Sequence, residues 1–331
     1  AAVEEFISEF NASQDRIEVE GRFNASYDEL LKNLQADTAA GNAPAIVQVA
    51  WSNVEYFPAN FAYISPEEIV SEYFPEDESF LTDTFDESIL NLARNSEGVL
   101  AGVPYSVSNP VLYYNADLLR EAGLSEDGPT SWEEFVSFAK TVKDTTGKYG
   151  AYLQEGDTWV LQAVLESGGA SMLTRDGDTA TASFASDAGK AAMQSYADMV
   201  LTDESAVHLT NLEDGLKAFN DGEVAMCVAS IAKATNVLES ANFDVRATTF
   251  PAFEGHDRAV PAGGCYLAIT AQDEEEQKAA WDADFEKAGE AAACSEAARR
   301  LEDLFGRDPI RRQEGIRQQV EEWKQEYRAM A

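Results

Sequence analysis

A chain of 331 residues has enough material for two packed lobes, because a single hydrophobic core stops growing at roughly 250–300 residues. Apolar residues make up 45% of it, yet no apolar run reaches the roughly 18 residues that a membrane-spanning helix needs. The 60 acidic residues outnumber 24 basic ones and leave a formal charge of −36, which excludes nucleic acid and anionic lipid as partners.

The same excess, in a chain rich in Ala and Thr and poor in Lys, reads as adaptation to salty surroundings, where ions screen the self-repulsion. Residues 1–10 set Val3, Phe6, Ile7 and Phe10 on one helical stripe. Because the chain opens inside an amphipathic helix, an upstream strand and an export signal are expected to be missing from it. Residues 17–23 alternate apolar with polar or small side chains, the pattern of a half-exposed strand. Residues 27–40 predict a helix with Tyr27, Leu30, Leu31 and Leu34 on one face and Ser26 as cap. Gly41-Asn42-Ala43-Pro44 stops it, and residues 45–50 predict a buried strand. Further helices are predicted over 116–122, 131–144, 157–166, 186–201 and 213–219, the second opened by the capping box Ser131-Trp132-Glu133-Glu134. Strands fall near 111–114, 149–153, 224–229, 243–250 and 266–270. Such alternation predicts α/β layers with a mostly parallel sheet. Residues 102–110 and 259–265 are extended, Pro-interrupted, and adjoin apolar strands. Two widely spaced connections between α/β halves predict a hinge architecture with a ligand in the cleft.

Plentiful carboxylate pairs keep a glycoside hydrolase as a distant alternative, but other signs of catalysis are lacking. No GxSxG, P-loop or HExxH pattern occurs, and the carboxylate pairs Glu133/Glu134 and Asp282/Asp284 fall on exposed helical faces. Cys227, Cys265 and Cys294 form no CxxC and share the chain with only His208 and His256, so a zinc ribbon is excluded. The cysteines are expected as small buried apolar residues. The Arg-rich residues 299–328 predict a helix whose arginines pair with neighbouring carboxylates or face an anionic ligand.

Four blocks, in order, resemble the extracellular solute-binding proteins of ABC importers. They are Tyr27-Asp28-Glu29-Leu30-Leu31 with Gly41-Asn42-Ala43-Pro44-Ala45-Ile46-Val47-Gln48-Val49; Pro104-Tyr105-Ser106-Val107-Ser108-Asn109-Pro110-Val111-Leu112-Tyr113-Tyr114-Asn115 with Thr130-Ser131-Trp132-Glu133-Glu134; Phe219-Asn220-Asp221-Gly222-Glu223-Val224-Ala225-Met226; and Gly263-Gly264. Together they cover residues 1 to about 270, and the first two look most like the branch that binds sn-glycerol 3-phosphate. The resemblance implies a two-lobed periplasmic-binding-protein fold of type II, each lobe a mostly parallel sheet flanked by helices. Its lobes would be residues 1–107 plus about 262–305, and 108–261 plus about 306–331. It implies a non-enzymatic protein without cofactors, monomeric and extracytoplasmic, anchored through the missing N-terminal segment. It would capture a small polyol and deliver it to the membrane subunits of an importer. Sugar-binding relatives share much of the same text, so a neutral sugar stands beside glycerol phosphate as the ligand.

A hydroxylated ligand needs aromatic faces for its C–H surfaces and short polar groups for its hydroxyls. In α/β lobes these sit where strands end. On that ground the candidates are Tyr27, opening a helix, and Trp51 and Asn53, following the strand at 45–50. Ser106 and Ser108 lie in the first crossover, Ser108 matching a binding serine of the resembling branch. Asp157 and Trp159 open a helix after the strand at 149–153, and Ser230 follows the strand at 224–229. Gly263 and Gly264 would let backbone N–H groups approach. Some of these have a second reading, Tyr27, Trp51 and Trp159 as core packing and Ser230 as a simple helix cap, and for Trp51 and Trp159 the ligand reading is the favoured one. For an anion, the helix starts at Ser230 and Asp157 and the side chain of Lys233 are the donors to expect.

Overall fold

The computed structural model describes residues 2–24, 26–154, 158–177 and 179–284. They form two compact units: one runs to Val107 and resumes at Gly263, and the other is Ser108–Ala262. Among the described residues no helix is long and apolar enough to cross a membrane.

The first unit opens with α1 (Ala2–Ser13). Residues 17–23, expected as a strand, run as coil. The reason is local: the Asn11 carboxamide donates to Val19 O and accepts from Val19 N, both at 2.9 Å. Gln14 likewise donates to Ile17 O at 2.6 Å and accepts from Ile17 N at 2.8 Å. Side-chain amides thus take backbone groups that a neighbouring strand would have used. Helix α2 (Tyr27–Ala39) begins at Ser26, whose hydroxyl accepts from Glu29 N at 3.2 Å. Strand β1 (Ile46–Ala50) follows, then four short helices: α3 (Tyr56–Asn60), α4 (Pro66–Tyr73), α5 (Phe80–Thr84) and α6 (Glu87–Leu92). They bring Phe57, Ile69, Leu81 and Leu90 into one core. Strand β2 (Val103–Ser108) carries the chain out of the unit.

The second unit starts at β3 (Pro110–Asn115), every residue of which is buried. Helices α7 (Ala116–Glu121) and α8 (Trp132–Thr146) lead to β4 (Tyr149–Leu153) and α9 (Thr158–Ser167). An exposed hairpin follows, β5 (Leu173–Asp176) with β6 (Thr179–Ala182). Next come α10 (Asp187–Leu201), β7 (Ala206–Val207), α11 (Leu212–Asn220), β8 (Val224–Ser230), α12 (Ala234–Ser240) and β9 (Val245–Thr249). The sheet order is β7-β4-β8-β3-β9. β4 runs parallel to β7 and β8, whereas β3 is antiparallel to both β8 and β9. One strand is therefore reversed in a sheet otherwise of one direction. β3 is also the strand that no helix precedes: a single residue, Asn109, separates it from β2. Parallel neighbours require a crossover, and the other four strands each have a helix before them.

Strand β10 (Gly263–Ile269) returns the chain to the first unit, followed by α13 (Glu274–Asp284). The first-unit sheet has the order β1-β10-β2, and β10 is antiparallel to β1, from Ile46 opposite Ile269 to Ala50 opposite Cys265. A mostly parallel sheet was expected here. β10 instead enters from coil, with no packed helix to turn it. Residues 285–331, including the Arg-rich stretch, lie outside the described residues.

Candidate functional site

On β1, Val47 and Val49 face the core at 4% and 1% exposure, so the period of two turns Gln48 to the opposite face. There its Nε2 donates to Cys265 Sγ at 2.9 Å, across the β1–β10 pair. The Ser106 hydroxyl lies 3.2 Å from the same sulfur. Tyr27, in the first turn of α2, brings its phenol to this group. Burial, and then the neighbouring Cys265 thiol, push its ionisation well above the ordinary tyrosine range, with a hydrogen bond to Gln48 opposing. Tyr27, Gln48, Ser106 and the buried Cys265 thus form one polar cluster in the first unit, where Tyr27 is 37% exposed.

Trp51 starts a 3-10 turn, Trp51–Asn53, at the end of β1. It is 7% exposed, its indole N–H donates to Ser106 O at 3.0 Å, and its ring centroid is 5.6 Å from that of Tyr266. Trp51 therefore braces the strand that carries Ser106. Asn53 closes the turn, half-buried. Gly264 has φ +109°, and a Cβ there would lie 2.0 Å from Ser106 O, so the β10 backbone meets Ser106 as closely as it does because no side chain intervenes. Gly263 precedes it, half-buried.

In the second unit, register gathers a different set. Pro110 stands opposite Ser230 on β8, and Val111 opposite Thr249 on β9, so Asn109, Ser230 and Phe250 reach the same end of the sheet. That end holds the carboxyl termini of β8 and β9, where α/β sheets bind ligands. Ser230 Oγ accepts from Ala232 N at 3.2 Å, and its carbonyl accepts from the Tyr113 hydroxyl at 2.9 Å. Asn109 O accepts from Ile231 N at 3.0 Å, and its Nδ2 contacts Pro261 O at 3.4 Å. Trp159 is half-buried in the first turn of α9, against the unit's core. Ser108 is half-buried at the end of β2, and Asp157 lies outside the described residues.

Lys233, named as a donor for an anion, pairs with Glu213 at 3.2 Å. One reading needs correction. Cys265, read as a plain apolar residue, is the hub of a polar cluster, whereas Cys227 fits that description, with burial pushing its thiol well up. Gln48 was missed altogether, although it is the lone polar side chain in the apolar run 45–50.

Among the described residues no cluster of His, Cys, Asp or Glu could hold a metal. The model of the family described as bacterial extracellular solute-binding protein matches residues 5–282. The chain is 31% identical over 166 residues to the sn-glycerol-3-phosphate-binding periplasmic protein UgpB of Rhizobium meliloti (strain 1021), covering 48% of this chain and 36% of that one. It is 26% identical over 291 residues to the protein of the same name from Escherichia coli (strain K12), covering 82% of this chain and 64% of that one. The chain thus spans between about a third and two thirds of the length of these relatives. A crystal structure of UgpB from Mycobacterium tuberculosis in complex with glycerophosphocholine superimposes with a TM-score of 0.75 at 23% identity, over 85% of this chain and 72% of that one. The two-unit α/β arrangement is accordingly the type II periplasmic-binding-protein fold, and the chain belongs to the bacterial extracellular solute-binding protein family.

Proposed function

We propose that the protein is the substrate-binding component of an ABC importer, acting outside the cytoplasmic membrane. It captures a small polyol, sn-glycerol 3-phosphate first and a neutral sugar second, and hands it unchanged to the importer's membrane subunits. The observation that carries this reading is the cluster of Tyr27, Gln48, Ser106 and Cys265. A partly exposed phenol and a half-buried hydroxyl, held in place by the buried Cys265 and the half-buried Gln48, suit a ligand whose surface alternates C–H faces with hydroxyls. Within the first unit Asn53, Gly263 and Gly264 are further candidates for ligand contact, and within the second unit Asn109, Ser230, Ser108 and Trp159 are. Trp51 acts through Ser106. The charge of −36 belongs to the same reading: the protein works in high salt, as a monomer.

A thermal-shift panel of sn-glycerol 3-phosphate, glycerophosphodiesters and maltose tests the reading. A true ligand at a hundredfold excess over its Kd adds about 2.7 kcal/mol of stability, so one compound should raise the melting temperature clearly. A panel in which none does so contradicts polyol capture.

A further inference from the structure

With 60 acids in the chain, a basic side chain finds a carboxylate easily. Arg16 pairs with Asp282, Arg22 with Asp37, Arg94 with Glu67, Lys140 with Asp203 and Lys148 with Glu223. Arg258 departs from the pattern. It lies between β9 and β10, and its Nε donates to Phe250 O at 2.9 Å. Among the described residues it has no ion pair, and neither Nη1 nor Nη2 has a hydrogen-bond partner. Lys32, Lys143 and Arg175 also lack an acid, but no side-chain hydrogen bond to a described residue holds any of them in place; Lys143 lies instead over the Tyr149 ring.

We propose that Arg258 recognises the phosphate of the ligand, its anchored Nε holding the guanidinium plane while both Nη groups take phosphate oxygens. The geometry fits the role. A guanidinium presents two parallel donors to phosphate when its plane is fixed, and the Phe250 carbonyl fixes it from behind. Phe250 follows β9 at the sheet end that also carries Ser230 and Asn109. Arg258 reaches solvent, as an anion receptor must, yet burial still lowers its proton affinity and no described carboxylate offsets the cost. An external oxyanion would. The proposal rests on the capture reading above and specifies the anion within it. It also places the cationic contact on a residue other than Lys233.

The test is calorimetric titration of the wild type, Arg258→Gln and Arg258→Lys with sn-glycerol 3-phosphate and with maltose, at one ionic strength. We expect Arg258→Gln to weaken glycerol phosphate binding on the order of 10- to 100-fold, as loss of a charged hydrogen-bond pair does. Arg258→Lys should fall between the two, and circular dichroism should show the fold intact in both. Equal glycerol phosphate affinity in wild type and Arg258→Gln would overturn the Arg258 proposal alone. Wild type that binds maltose but no phosphate would overturn both Arg258 and the glycerol phosphate assignment while leaving polyol capture standing. Wild type that binds neither would overturn the capture reading and Arg258 with it.

Discussion

Cys265 shows how one residue's meaning depends on register. As a letter after two glycines it is a small apolar residue. Once β10 lies antiparallel on β1, its sulfur meets Gln48 and Ser106. No sequence pattern states that pairing, so neither Gln48 nor Cys265 was legible as part of a cluster. Tyr27 and Ser106 were legible, because a helix start and a strand of a crossover can be read from local signals. Gly264 is the residue on which this geometry depends most. Replacing it with Ala would combine the strain of φ +109° with a Cβ 2.0 Å from Ser106 O. We expect Gly264→Ala to cost about 3 kcal/mol or more, read as a lowered midpoint in denaturant unfolding. Gly98→Ala is the control: φ is +81° but no atom lies within 4 Å of the added Cβ, so only the smaller backbone cost of about 1–2 kcal/mol remains. Equal losses in the two variants would mean that the approach to Ser106 is not tight.

At the scale of elements, caps and stops were the most readable signals. Helix α2 begins at Tyr27 behind Ser26 and β4 spans Tyr149–Leu153, as predicted. The capping box before α8 forms with one change. Ser131 Oγ accepts from Glu134 N at 3.2 Å, but Glu134 reaches one residue further back, accepting from Thr130 N at 2.7 Å and Thr130 Oγ at 2.6 Å. Those bonds from Thr130 hold the Glu134 carboxyl below its usual range. The hairpin β5–β6 was missed because all eight of its strand residues are exposed, leaving no buried face to impose a period of two. Residues 17–23 misled in the opposite sense: the alternation is present, but Asn11 and Gln14 cap the backbone instead of a partner strand. The reversal of β3 was illegible for a third reason. Strand direction depends on whether a helix intervenes, and the one-residue link at Asn109 looked like a continuous crossover.

For the whole molecule, charge dominates. A net −36 destabilises the compact state by self-repulsion, and screening relieves it, since the Debye length falls from about 10 Å at 0.1 M salt to about 3 Å at 1 M. The melting temperature should therefore rise as KCl increases from tens of millimolar to molar. A temperature that fell instead would show that surface ion pairs, such as Lys140 with Asp203, outweigh the repulsion. The two-unit division follows the crossovers that composition marks, with the chain passing between units after Val107 and after Ala262. What composition could not mark is which groups meet at each sheet end, because that depends on pairings between segments more than 100 residues apart in sequence, such as Ser106 with Cys265. Capture of a hydroxylated small molecule is the central claim, and calorimetric titration of the wild-type protein in molar salt addresses it most directly. The account predicts saturable one-to-one binding of sn-glycerol 3-phosphate or, failing that, of a neutral sugar, with the compound recovered unchanged. A titration that shows no heat with either class, or recovery of a hydrolysed product, would contradict it.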